Sequence, residues 1–122
     1  MLLGHGVAHA RPALSDVPEI EEPLFAVAIA HVLRENCPDL AARELKGIAV
    51  LWSLRSKANR LGYSDKEIIE YVRSDTEKAR MWDKGRALLE PYGPQDDPQS
   101  YCAMGRDEIQ KNSAIGALLR AK

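Results

Sequence analysis

Imidazole is the most versatile catalytic group a chain can carry, and here it is scarce: His5, His9 and His31 are the only histidines in 122 residues. His5 and His9 lie in the opening stretch MLLGHGVAHA, where Ala8-His9-Ala10 forms the small-x-small pattern that precedes a signal-peptidase cut before Arg11. Residues 1–10 are therefore expected to be the remnant of an export signal, and residues 11–122 a single domain. His31 is left as the sole imidazole of that domain. Its place in the apolar run Leu24–Leu33 predicts a core histidine bonded to a backbone carbonyl, rather than a base or a metal ligand.

Other reactive constellations are equally thin. Zinc needs three or four ligands at spacings such as HExxH or paired CxxC, and haem attachment needs CxxCH; none occurs. There is no GxSxG elbow and no glycine-rich phosphate loop. The acidic pairs Glu21-Glu22 and Asp96-Asp97 have the composition of an acid and a base, but both adjoin expected helix starts. Carboxylates there satisfy free amides and the helix dipole. No catalytic, metal or cofactor-binding residue is assigned, and no cofactor is expected. The chain has two cysteines, Cys37 and Cys102. A lone pair in a small exported domain is ordinarily a bridge, whereas in a reducing compartment it is two thiols, so the export reading carries a disulfide with it. Closing so long a loop is worth roughly 4 kcal/mol in the chain-entropy treatment.

These residues need elements to hold them. Arg11–Pro18 reads as an extended arm with prolines at its ends, followed by a helix from Pro23 to Asn36 that stops at Cys37-Pro38. The run LFAVAIAHVL is apolar all round, so this helix is expected at the centre. A second helix is expected from Asp39 to Leu61-Gly62, with Ala41, Leu45, Ile48, Trp52 and Arg55 in phase along its core face. Ser64 and Glu67 form a capping box for a third, which presents Ile68, Ile69 and Val72. Ser74 or Asp75 then caps a fourth helix or marks a bend, ahead of the stripe Ala79, Trp82, Arg86 and Leu89. Asp97 and Pro98 start the last, which runs to about Asn112 before a short terminal turn. Cys102, Gly105, Ile109, Ser113 and Gly116 make a small-residue stripe suited to close packing on the first helix. Trp52 and Trp82 are each in phase with an apolar stripe and are expected in the core. No run alternates with period two for long enough to make a strand. The fold class is all-α, a compact bundle of about five helices stapled by one disulfide.

Composition narrows the partners. With 45% hydrophobic and 29% charged residues the chain is ordinary for a globular protein, and its 17 basic and 18 acidic residues are interleaved. Nucleic acid and anionic membranes call for a basic patch, so neither is expected as a partner. The longest apolar stretch is about half of what a membrane-spanning helix requires.

Taken in order, VPEI, ENCPDLAAREL, LGYSDKEIIEYV, SDTEKARM, SYCAMGRDEI and SAIGALL make the chain resemble a family of small exported alphaproteobacterial proteins known only as a domain of unknown function. The resemblance runs from about Pro12 to Arg120. It implies a signal-bearing precursor, a compact helical body and a cysteine pair corresponding to Cys37 and Cys102; it implies no activity.

The expected function is a periplasmic, non-catalytic interaction protein, an accessory subunit or assembly factor of a membrane complex, whose partner is another protein. Leu14 and Val17 in the arm, with Ile115, Leu118 and Leu119 at the C-terminus, are the candidate interaction residues, because a solvated tail has no need of them. Two alternatives stand beside this one. The first is a small enzyme or ligand carrier with its site in the helical core around His31 or Arg106-Asp107-Glu108; the second is an inhibitor or immunity-type protein.

Overall fold

Proline at a first helical position forfeits nothing, since the amide it lacks would have no partner there, and the longest helix starts in this way. In the computed structural model, which describes residues 11–122, α1 spans Pro18–Asn36 with Pro18 at its start. The expected start at Pro23 is thus more than one turn late: Pro23 lies inside the helix, where the burial of Ile20, Ala26, Ile29, Ala30 and Leu33 offsets the amide hydrogen bond it lacks. The expected export remnant lies outside the described residues.

The all-α reading holds, with five α-helices among the described residues. After α1 come α2 (Glu44–Arg60), α3 (Asp65–Arg73), α4 (Asp75–Leu89) and α5 (Pro98–Lys111). Single 3-10 turns occur at Leu14–Asp16, Glu90–Tyr92 and Gly116–Leu118. The local signals placed the boundaries well. Gly62 ends α2 at φ 99°, a left-handed conformation. Ser64 and Glu67 complete the capping box of α3. Ser74 accepts from the Glu77 amide at 3.2 Å and so caps α4 rather than merely bending the chain. Asp97 accepts from the Gln99 amide at 2.9 Å with Pro98 opening α5.

Two short strands depart from the expectation. Residues Leu40–Ala42 (β1), read above as the start of the second helix, are extended and pair antiparallel with Leu119–Ala121 (β2), Leu40 opposite Ala121 and Ala42 opposite Leu119. Three residues are too few to display a period of two, so nothing in the pattern announces them. Arg43 clamps this corner, its amide donating to the Leu118 carbonyl at 2.8 Å and its Nε to that of Leu119 at 3.1 Å.

α1 is central, packed against α2, α4, α5 and β1. Cys37 caps its C-terminus and is joined to Cys102 of α5, with Cα atoms 5.2 Å apart across 65 residues. The main core gathers around this bond: Leu33, Leu40, Tyr101, Met104, Leu118 and Leu119. A second cluster forms where the N-terminal arm meets α1 and α2, from Leu14, Val17, Ile20, Leu54, Ala58 and Tyr63. The arm is therefore not a free extension. Arg11 donates to the Gly62 carbonyl and pairs with Glu67 at 3.1 Å, while the Tyr63 hydroxyl donates to the Pro12 carbonyl at 2.5 Å.

Leu14, Val17, Ile115, Leu118 and Leu119, expected to await a partner, are all buried in the chain's own core. Burying an aliphatic side chain is worth roughly 1.5–3 kcal/mol, so the arm from Arg11 and the C-terminal turn both gain by docking on the bundle. The small-residue stripe of α5 meets the end of α1 through Cys102, as expected, but its glycines receive other neighbours. A Cβ on Gly105 would fall 2.3 Å from Leu40 Cδ1 of β1, and one on Gly116 would fall 1.9 Å from the Glu108 carbonyl oxygen of α5 itself. Its two glycines thus admit β1 and the C-terminal turn.

Candidate functional site

A helix that packs on one side only should be apolar on one side only, and α2 is not. Its buried residues are Leu54 and Ala58, with Val50 half-buried behind them. Around the cylinder from these stand Leu45, Ile48, Leu51 and Trp52, all exposed: Leu45 by 85% and Trp52 by 60%. This is the stripe that helical spacing assigned to the core, turned to the outside. Residues 40–42 pair with the C-terminus instead of entering the helix, and α2 is buried through Leu54, Ala58 and Val50, which leaves the other apolar arc uncovered. Ile69 and Val72 of α3, also about half exposed, extend the same surface, and α3 has no buried residue. Trp82, by contrast, is half-buried against the main core, as its phase on α4 predicts.

Beside this face runs a trough of about 480 Å³. Its floor is α1 at Leu24, Val27, Ala28 and His31; Leu51 of α2 forms one wall and Val72, Met81 and Trp82 the other. His31 is exposed at its edge, not buried, because the residues of α1 that reach the core are Ala26, Ile29, Ala30 and Leu33. The Arg34 guanidinium lies 3.3 Å from His31 Nδ1.

One polar cluster lies inside the bundle, and the sequence gives no hint of it. Glu21, only 5% exposed, accepts two hydrogen bonds from Arg80 (2.8 and 2.9 Å), one from the Tyr71 hydroxyl, and a longer one from Lys84 at 3.4 Å. Burial by itself would raise the carboxyl's pKa; the bonds from Arg80, Tyr71 and Lys84 together outweigh it and hold it below its ordinary value of 4.5. The same environment pushes Tyr71 up, through burial first and then its bond to Glu21. Every oxygen of Glu21 is engaged, so the cluster ties α1, α3 and α4 together and offers no free base. Spacing could not reveal it, since Glu21 and Arg80 are 59 residues apart and Glu21 reads as an ordinary first-turn carboxylate.

The Arg106-Asp107-Glu108 segment is likewise occupied. Asp107 accepts from the Tyr92 hydroxyl and from Lys111 at 3.0 Å, Tyr92 being the larger influence holding its carboxyl below the usual range. Glu108 accepts from the Ser113 hydroxyl at 2.5 Å, and Arg106 points to solvent. Asp96 and Asp97 are exposed at the start of α5, Asp97 as its cap. Cys37, Asp39 and Cys102 come within 4.8 Å of one another, but both sulfurs are consumed in the disulfide and present no thiolate to a metal.

The segments whose order suggested a family now have definite places, from the arm through the capped helices to the cysteine pair. A family model described as "Family of unknown function (DUF5333)" matches residues 12–120. The chain belongs to DUF5333. The match takes in the disulfide, the exposed face of α2 and the whole trough, so these are features of a DUF5333 domain rather than of an appended segment. No curated protein and no solved structure matches the chain.

Proposed function

We propose that this DUF5333 protein is a non-catalytic interaction protein of the periplasm, an accessory subunit or assembly factor that docks on another protein through α2. The observation that carries this reading is the run of Leu45, Ile48, Leu51 and Trp52 at the surface of a bundle whose core is otherwise well filled. Contiguous exposed apolar residues of this kind mark interaction sites, and an exposed tryptophan among them has the character of an interface hot spot. The docking surface is thus moved from Leu14, Val17, Ile115, Leu118 and Leu119, which are buried, to α2 and the adjoining residues of α3. A periplasmic setting is supported by the Cys37–Cys102 bond, which persists in an oxidising compartment, and by the Ala8-His9-Ala10 pattern.

Affinity purification from the native host tests the role. The wild-type chain should bring down a defined protein, and a Leu45→Ser/Trp52→Ser variant with an unchanged melting temperature should not. Retention of the same partner by that variant overturns the assignment to α2. Sequencing of the mature protein should start at or near Arg11, and recovery of intact Met1 from the cytoplasm would remove the periplasmic setting.

A further inference from the structure

The carboxylate of Asp39 stands beside the cysteine pair, and the local backbone puts it there. Cys37 ends α1, Pro38 keeps it out of the helical conformation, and the chain turns, with the Leu40 amide donating to the Cys37 carbonyl at 3.3 Å. The Lys122 amide holds the Asp39 carbonyl at 3.0 Å. Both sulfurs and a carboxylate oxygen of Asp39 thus fall within 4.8 Å of one another. We infer that reduction converts this corner into a binding site for a soft divalent cation of the zinc class, with Cys37 and Cys102 as thiolate ligands and Asp39 as the carboxylate ligand. The inference is independent of the docking role of α2, none of whose residues takes part.

The donor set and its spacing carry the inference. Tetrahedral zinc, with sulfur at about 2.3 Å and carboxylate oxygen at about 2.0 Å, sets neighbouring ligand atoms about 3.5–3.8 Å apart. The sulfurs, once unbonded, part toward that separation, and the Asp39 oxygen starts no more than 4.8 Å from either. Two thiolates select a zinc-like ion over magnesium or calcium, which take oxygen ligands. Cys37 and Cys102 are buried and Asp39 is exposed, so the ion enters on the Asp39 side and keeps water in its fourth position. Among the described residues Asp39 belongs to no ion pair, whereas Glu21 and Asp107 are each claimed by a cation. Arg106, one turn beyond Cys102, is exposed and does not pair with Asp39.

The chemistry balances in two steps. A dithiol reductant gives two electrons and two protons to the bond between the sulfurs, which become two thiols while the reductant closes its own disulfide. The ion then displaces both thiol protons and forms two sulfur–metal bonds, with no further change of oxidation state. Disulfide and metal are therefore alternative ties between the end of α1 and α5, and the ion replaces the staple in the reduced chain.

The test uses the full chain reduced with a phosphine, which competes little for the metal, and cobalt(II) as the probe. Cobalt should bind at one equivalent, with sulfur-to-cobalt charge-transfer absorption and the d–d bands of a tetrahedral site, and zinc should displace it. The oxidised chain should show neither feature. Asp39→Asn should weaken cobalt binding by at least about tenfold, since even an outer partner of a metal ligand is worth that much. Glu70→Gln, on α3, should change nothing. Zinc should also raise the melting temperature of the reduced chain, because it binds the folded state. If the reduced chain is unfolded without metal, zinc should restore its helical circular dichroism, and a chain that stays unfolded overturns the inference. Absence of the sulfur–cobalt band, or its appearance in the oxidised chain, overturns it as well. So does equal affinity in Asp39→Asn, which would mean two thiols binding metal without a built site.

Discussion

The region around the disulfide and the region formed by α2 and α3 use apolar residues in opposite ways. Around Cys37 and Cys102 nearly every large side chain is enclosed: Leu33, Leu40, Met104 and Leu119 are almost wholly buried, and even the C-terminal residues are drawn in as β2 and its preceding turn. On α2 and α3, Leu45, Ile48, Trp52, Ile69 and Val72 stay at the surface, although their helices are as regular as the others. The difference teaches that apolar periodicity identifies a face able to be buried, while the neighbours available decide which face is. The first region has a covalent tie, a strand pair and three elements converging on α1. The second has a helix with more apolar arc than its neighbours cover.

That contrast can be broken most forcefully at the disulfide. Cys37→Ser should cost about 2–5 kcal/mol in thermal or denaturant unfolding of the oxidised protein. An unchanged melting temperature would mean that the enclosed region is held by packing alone. Leu119→Ala removes a fully buried side chain from the same region and should cost about 2–4 kcal/mol by the same measurement. Deleting 116–122 should be worse still, since it removes β2 and exposes the edge of β1.

An intermediate effect is expected at Glu21, which lies between the two regions. Glu21→Ala leaves Lys84 without its carboxylate and Arg80 with Glu77 alone, but both cations reach solvent, so the cost should be about 1–3 kcal/mol rather than that of a fully buried pair. The pH dependence has a definite sign. The carboxyl's pKa is lower in the folded chain than its ordinary 4.5, so its stabilisation is complete above that value and is lost as pH falls through the folded pKa. Acid unfolding of Glu21→Gln should be correspondingly less steep below pH 4.5; an identical acid limb would show that the cluster contributes nothing to the pH response.

The smallest effects belong to the open face. Trp52→Ser and Leu45→Ser, on side chains that touch little, should each alter stability by no more than about 0.5 kcal/mol, and so should His31→Gln. A loss of several kcal/mol at Trp52 would show that this face is covered in solution, for instance by a second copy, and would sharpen the comparison by showing that the surface is satisfied after all.

What the sequence by itself determined is local in its physics. The Ser64–Glu67 box, the Asp97–Pro98 start, the stop at Leu61-Gly62 and the break at Cys37-Pro38 each arise from backbone amides and dihedral limits within a few residues. No distant contact can easily overrule them. Helix number and class follow, and the cysteine pair was legible because two thiols in an oxidising setting have one another as the available partner. The tertiary structure alone decided the rest. It chose which arc of α2 faces inward, brought Glu21 to Arg80 across 59 residues, turned His31 and Trp52 outward, and buried Leu14 and Val17 of the arm with Ile115, Leu118 and Leu119. The pairing of β1 with β2 is of the same kind, a contact between residues some 80 positions apart, as with Leu40 and Ala121. A three-residue strand carries no pattern of its own, and it exists because its partner closes on it.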